Sequence, residues 1–109
     1  MTILDLIKKE ILNIALELQY ISKAEIEDFK FDVSFIDESN SRFGDVSVNI
    51  SLILARKLSK TPKEIGEEIL KSIDSNIESG KELSKIIKNA DLAANGFLNL
   101  FLKDEFLIS

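Results

Sequence analysis

The residues of this chain that could do chemistry are its carboxylates, and their spacing favours a structural role. Asp and Glu number 19 against 14 Lys and Arg, and the chain has no His and no Cys. Glu64, Glu67 and Glu68 follow Pro62 at helical spacing, where they complement the positive end of a helix dipole. Catalytic carboxylates must instead converge on one pocket with separated pKa values. The sequence therefore predicts no acid–base site.

The sequence also contains no motif for a metal site or a phosphate site. The acidic run Asp37-Glu38-Ser39-Asn40 lacks the alternating ligand spacing and the distal Glu of a calcium loop. The usual zinc ligands are missing without His and Cys, and the four glycines are isolated rather than gathered into a phosphate-binding loop. We therefore expect no catalytic residue, no metal and no cofactor in this chain. From its chemistry alone it is not an enzyme.

The charge of the chain limits its partners. A net charge of −5 argues against extensive contact with a nucleic-acid backbone, which requires many Lys and Arg residues. Two local basic clusters exist, at Arg56, Lys57, Lys60 and Lys63 and at Lys81, Lys85 and Lys88. Solvated surface explains most such clusters, and a modest RNA contact is the alternative. No apolar run approaches the ~20 residues of a membrane span, so we expect a soluble, intracellular protein.

The first predicted element of the chain is a helix. At 109 residues, 45% apolar and 30% charged, the chain is expected to form one domain over residues 1–109. Its N-terminal apolar stripe has helical spacing and comprises Leu4, Ile7, Ile11, Ile14, Leu18 and Ile21. A core-packing helix explains this stripe better than a membrane-surface helix, whose polar face would be richly basic. Ser22 and Glu25 match a capping box that opens a short helical turn.

The hydrophobic period changes to two at Phe29. Phe29, Phe31, Val33 and Phe35 alternate with polar residues, which predicts a half-buried strand. Alternating aromatics could also stack on RNA bases, but the residues between them are mostly Asp and Ser, so we expect these side chains in the core. A polar loop is predicted over 37–44.

Two more helices and two strands complete the predicted fold. The second helix runs from about Val46 to Leu58, and the third begins at Thr61-Pro62-Lys63-Glu64, where a capping box is expected, and ends near Gly80. Strands are predicted over 83–92 and 97–102, joined by a turn at Ala94-Asn95-Gly96, in which Asn-Gly is a preferred hairpin dipeptide. This order predicts an α+β fold, with about three helices on one face of a small, mainly antiparallel sheet of three to four strands.

Three motifs in order resemble the additional N-terminal domain of arginyl-tRNA synthetases. Residues 43–58, FGDVSVNISLILARKL, are similar to the (F/H)GDY(A/S)TN block of that family and its following LAKKL. Residues 61–69, TPKEIGEEI, are similar to its NPREIAEEI, and residues 94–102, ANGFLNLFL, to its GPGFINFFL hairpin. Val46 replaces the usual aromatic residue, Val48 replaces Thr, and Ala94-Asn95 replaces Gly-Pro.

The resemblance implies a tRNA-recognition accessory domain. Such a domain contacts the D-loop, at the outer corner of tRNA(Arg), beside a catalytic domain of the same chain that uses ATP. By position, it implies that Phe97 and Asn99 contact RNA, with Asn95 at the hairpin tip. The HIGH-like and KMSKS-like signatures of that catalytic domain are absent from residues 1–109. We therefore expect a non-catalytic, monomeric, cytoplasmic N-terminal fragment without a cofactor of its own.

Strand parity is consistent with these implied roles. Leu98, Leu100 and Leu102 share one face of the last strand, while Phe97, Asn99 and Phe101 share the other. The leucine row suits the core. An aromatic residue on the opposite face can stack on an unpaired base, and a neighbouring amide can read the edge of that base. For Phe101, packing under a helix or against another domain explains the position nearly as well as RNA contact. The alternative function is a free-standing protein-interaction domain that uses an exposed Phe97/Phe101 face.

Overall fold

The computed structural model describes residues 2–106, and its elements confirm the predicted α+β class. Three α-helices span Ile3–Glu17 (α1), Ile50–Leu58 (α2) and Pro62–Glu78 (α3), and four strands span Val33–Phe35 (β1), Val46–Val48 (β2), Ile87–Leu92 (β3) and Leu98–Leu102 (β4). The strands lie in the order β1-β2-β4-β3, and each neighbouring pair is antiparallel. None of the helices within residues 2–106 has the length and hydrophobicity of a membrane span.

The helices begin where local capping signals lie. Thr2 and Asp5 form a reciprocal capping box at the start of α1, and the predicted box at Ser22 is confirmed by the 2.8 Å bond from its backbone N–H to Glu25. Thr61 Oγ1 accepts a hydrogen bond from the backbone N–H of Glu64 at 3.1 Å. These side chains satisfy N–H groups that have no partner within the first helical turn.

The core lies between the helices and one face of the sheet. Its fully buried side chains come from all three helices and from the central strands, and include Ile7, Ile11, Leu54, Ile65, Ile69, Ile73, Val46, Val48, Leu98 and Leu100. Burying each of the larger ones contributes roughly 1.5–3 kcal/mol. The predicted stripes of α1 and α3 therefore point inward as expected, and they cover the sheet from one side.

One predicted helix was wrong at its start. Val46–Val48 is not the first turn of a helix but strand β2, which lies between β1 and β4. The spacing of Val48 and Leu52 mimics a helical stripe, although α2 begins only at Ile50. Three residues are too few to display a period of two, so hydrogen bonding to both neighbouring strands decides the conformation of this segment.

The aromatic alternation at 29–35 was also only partly correct. Strand β1 holds Val33 and Phe35, whereas Phe29 and Phe31 precede it. Phe31 is buried as expected, but 59% of Phe35 is exposed. Phe35 lies on the edge strand, paired with Val46, so its neighbours cover it from one side only. The strand predicted over 83–92 is shorter than expected, because residues 82–85 form a helical turn before β3.

Candidate RNA-binding surface

The hairpin of β3 and β4 is closed by a three-residue loop. The Ala93 N–H donates to the Phe97 carbonyl at 2.8 Å, and the Gly96 N–H donates to the Ala93 carbonyl at 2.9 Å. Gly96 has a φ of +92°, whereas the φ of Asn95 is not positive. This pattern is that of a three-residue hairpin loop, not of the two-residue turn in which both residues of an Asn-Gly pair are left-handed.

Asn95 has a structural task at the tip. Its side-chain Oδ1 accepts a hydrogen bond from the Phe97 N–H at 3.1 Å, which is an Asx turn. The exposed Asn95 side chain therefore uses its carbonyl oxygen to hold the loop. Its NH₂ group remains the end that can donate to a ligand.

The tip rests on the start of α3. A Cβ atom added at Gly96 would lie 2.6 Å from the Cβ of Pro62, so only a glycine permits this close approach. The hairpin is thereby placed beside the junction of α2 and α3. Of the predicted basic cluster at this junction, exposed Lys63 directly follows Pro62, whereas the Nζ of Lys60 lies 5.9 Å from the centroid of the Tyr20 ring.

The two predicted rows of β4 are confirmed by burial. Leu98, Leu100 and Leu102 are exposed by no more than 1%. On the opposite face Phe97, Asn99 and Phe101 are each half-buried, so the expected exposure of the two aromatics is only partial. Among the described residues, neither Phe97 nor Phe101 belongs to the core or to the apolar side chains packed against it.

The face that carries Asn99 is polar across the width of the sheet. In register, Ser34 pairs with Ser47, Ser47 with Asn99, and Asn99 with Asp91. We call this the outer face. It presents hydroxyl, amide and carboxylate groups beside the half-buried rings of the hairpin. Such a surface can stack on a flat ligand and hydrogen-bond to its edge.

Sequence reasoning missed a further aromatic residue, Phe43, at this surface. Phe43 is 51% exposed, and the guanidinium Cζ of Arg42 lies 4.5 Å from the centroid of its ring, a cation–π contact. Both residues line a groove of about 410 Å³ with Asn99, with Asp91 and Leu92 of β3, and with Ala93 and Ala94, which follow that strand. An aromatic residue next to an arginine inside a polar segment was the feature of the sequence that could have indicated this site. The pair is more than 50 residues from the hairpin tip in sequence, so the sequence did not show that the two lie together.

The Gly-Asp-x-x-x-Asn pattern of residues 44–49 joins elements together. The Asp45 N–H donates to the Leu100 carbonyl at 2.8 Å, and the Asp45 carboxylate accepts from the Leu102 N–H at 2.8 Å. Asn49 Oδ1 accepts from the backbone N–H of Asp32 at 2.7 Å. These residues therefore hold the start of β2 against β4 and the corner before α2 against the segment before β1.

Several lysines are neutralised by neighbouring carboxylates. Lys57 contacts Glu25 at 2.9 Å, and this hydrogen bond, together with the Ser22 backbone, lowers the pKa of Glu25 from 4.5 to about 2. Lys85 pairs with Glu82 at 3.0 Å, and Lys88 pairs with Asp104 at 3.3 Å. Exposed pairs of this kind contribute little stability, but they reduce the positive potential available to a phosphate backbone.

Metal-binding side chains do not gather in the described part of the chain. Residues 2–106 contain no group of three or more Asp or Glu side chains placed to hold a metal ion. Of the acidic run at 37–40, Asp37 directly precedes a short helical segment, Glu38–Phe43, and the other three residues lie within it.

Comparison with known proteins points to one family. The family model described as the arginyl tRNA synthetase N terminal domain matches residues 1–102. An arginine–tRNA ligase of Thermotoga maritima is 34% identical over 89 residues, which cover 82% of this chain and 14% of that protein. One of Nostoc sp. is 31% identical over 99 residues, covering 91% and 16%, and one of Prochlorococcus marinus is 38% identical over 71 residues, covering 65% and 11%. The chain thus spans less than a fifth of the length of these relatives.

Proposed function

We propose that this chain, which belongs to the family of arginyl-tRNA synthetase N-terminal domains, recognises tRNA on behalf of an arginine–tRNA ligase. Its partners are then tRNA(Arg) and a catalytic domain of the same protein, and ATP is used by that catalytic domain. In this role the domain works as a monomer in the cytoplasm, where translation takes place. Residues 1–109 are one accessory domain of the longer enzyme.

The contact that we propose lies on the hairpin. Phe97 stacks on an unpaired base of the D-loop, at the outer corner of the tRNA, and the Asn99 amide hydrogen-bonds to the edge of a base. Asn95 contributes through its NH₂ group, since its Oδ1 holds the turn. The observation that carries this proposal is the half-burial of Phe97 and Asn99 on the face opposite the core row.

The acidic charge of the domain is compatible with this mode of binding. Stacking and edge recognition of single-stranded bases require few phosphate contacts, and exposed Lys63, which follows the Pro62 that the hairpin tip approaches, can supply one. We therefore expect weak binding by the isolated chain, with a shallow salt dependence.

The alternative, a protein-interaction domain, is less well supported. A docking surface for protein would present a contiguous apolar patch. The outer face instead places Asn99 and Asp91 directly beside each other, and Phe97 and Phe101 are partly buried. The polarity of this surface favours a ligand with hydrogen-bonding edges.

The proposal is tested by charging kinetics of the full-length ligase. Phe97→Ala should raise the KM for tRNA at least about 5-fold, since base stacking on an aromatic side chain contributes roughly 1–3 kcal/mol. Phe35→Ala is the matched control, because Phe35 is a more exposed aromatic on the other side of the sheet. Wild-type kinetics for the Phe97 variant, with the fold intact, would show that Phe97 does not stack on the tRNA.

A further inference from the structure

We propose that Arg42 and Phe43 form a second stacking site for an unpaired RNA nucleotide, in the groove that they share with Asn99. This inference rests on the proposed function, because it takes RNA as the ligand. It extends the contact from the hairpin to the polar segment that precedes β2.

The Arg42–Phe43 pair has the surface that a nucleobase requires. Even with the guanidinium 4.5 Å from its ring centroid, Phe43 remains 51% exposed. Unpaired bases stack on aromatic rings and on guanidinium planes, and Arg adds a cation–π contribution. Phe35 is similarly exposed, but within residues 2–106 no cation lies over its ring.

Backbone contacts hold this pair beside the hairpin. Gly44 has a φ of +140°, and a Cβ atom there would lie 3.1 Å from the Cβ of Asn99, so the glycine lets the segment lie directly against β4. The two hydrogen bonds of Asp45 to the backbone of β4, each 2.8 Å long, fix the next residue. The backbone that directly follows Phe43 is therefore held against β4 beside Asn99.

The groove has the size and polarity for a base rather than a phosphate. Its volume of about 410 Å³ lies within the ~300–1,000 Å³ of small-ligand sites. Asp91 pairs in register with Asn99, and its carboxylate repels phosphate but accepts hydrogen bonds from N–H groups. The occupant is therefore a base stacked on Phe43, with an edge that carries an amino group turned toward Asp91 and Asn99.

Tryptophan substitutions can test this site directly. The chain has no Trp, and its one Tyr is buried, so a single introduced indole reports local stacking without background. We propose three single variants, Phe43→Trp, Phe97→Trp and, as the control, Phe35→Trp. Each is titrated at low salt with an in vitro transcript of an arginine tRNA while tryptophan fluorescence is recorded. We expect quenching for Phe43→Trp and Phe97→Trp and none for Phe35→Trp.

The three variants separate the two proposals. Quenching at position 97 but not at position 43 overturns the second stacking site and leaves the hairpin contact in place. No quenching at either position overturns both, and equal quenching at positions 35 and 43 shows unspecific stacking, which also overturns the site.

A second measurement does not depend on the indole. Phe43→Leu should weaken binding of the same transcript at least about 5-fold, the low end of the contribution of base stacking. Its unfolding midpoint should not change, because the ring is half-exposed. Wild-type affinity for this variant would again overturn the site.

Discussion

Replacing Gly96 with alanine tests whether the hairpin tip is held against the start of α3. The added Cβ would lie 2.6 Å from the Cβ of Pro62 and 3.4 Å from Cδ2 of Leu52. The ring of Pro62 is locked to its own backbone, so it cannot rotate away as a flexible side chain would. The tip must therefore shift, and the contact between hairpin and helix is lost or strained.

The expected cost has two parts. A non-glycine residue in the left-handed conformation costs ~1–2 kcal/mol, and overpacking at a close contact costs ~1–3 kcal/mol. Gly96→Ala should therefore lower the free energy of unfolding by about 2–5 kcal/mol, a large share of the ~5–15 kcal/mol of an ordinary domain. Gly80→Ala is the matched control, because Gly80 has a φ of +71° but nothing lies within 4 Å of its added Cβ.

Urea unfolding of the chain, followed by circular dichroism, measures both variants. With a slope near ~2 kcal/mol/M, the midpoint should fall by about 1–2.5 M for Gly96→Ala and by about 0.5–1 M for Gly80→Ala. Similar midpoints for the two variants would refute the contact with Pro62, since both share the conformational cost and only one has the steric cost.

Three further changes have expected outcomes in the same unfolding assay. Asp45→Ala leaves the buried Leu102 N–H without its acceptor and should cost about 1–3 kcal/mol, whereas Asp45→Asn, which keeps an acceptor oxygen, should cost less. The pKa of Glu25 is lowered from 4.5 to about 2 by Lys57 and Ser22. The contribution of this carboxylate to the free energy of unfolding is therefore present above pH 4.5 and is lost as the pH falls toward 2. Glu25→Gln should flatten that part of the dependence of stability on pH. Ser51→Ala should be neutral or stabilising, because the buried Ser51 hydroxyl has no hydrogen-bond partner within residues 2–106.

The parts of the fold that could be predicted are those with local signals. Helix α3 carries a capping Thr, a proline at its first position and an isoleucine every four residues, and each of these acts within one or two turns. The alternation of Leu98, Leu100 and Leu102 correctly located the core side of β4. Strand β2 carried no such signal, because its three residues are specified by pairing with β1 and β4.

The candidate site shows the same difference between features with local sequence signals and features that depend on long-range contacts. Phe97 and Asn99 could be proposed from one short motif on one strand, and strand parity correctly placed them opposite the core. The role of Asn95 in the turn became evident only from the tertiary structure, since an Asn-Gly pair suits more than one hairpin geometry. Phe43 could not be connected with Asn99, because the two meet only after β2 pairs with β4.

Residue types and their local spacing were enough to predict the type of most elements, the inward faces of α1, α3 and β4, and the absence of His and Cys chemistry. These features depend on residue type and on periods of two to four residues. The folded structure was needed to show that β2 is a strand, that Phe35 is exposed and that Arg42 and Phe43 lie beside the hairpin. The physical reason is distance along the chain: the bond between Asp45 and Leu102 joins residues 57 positions apart, and no local preference specifies such a contact.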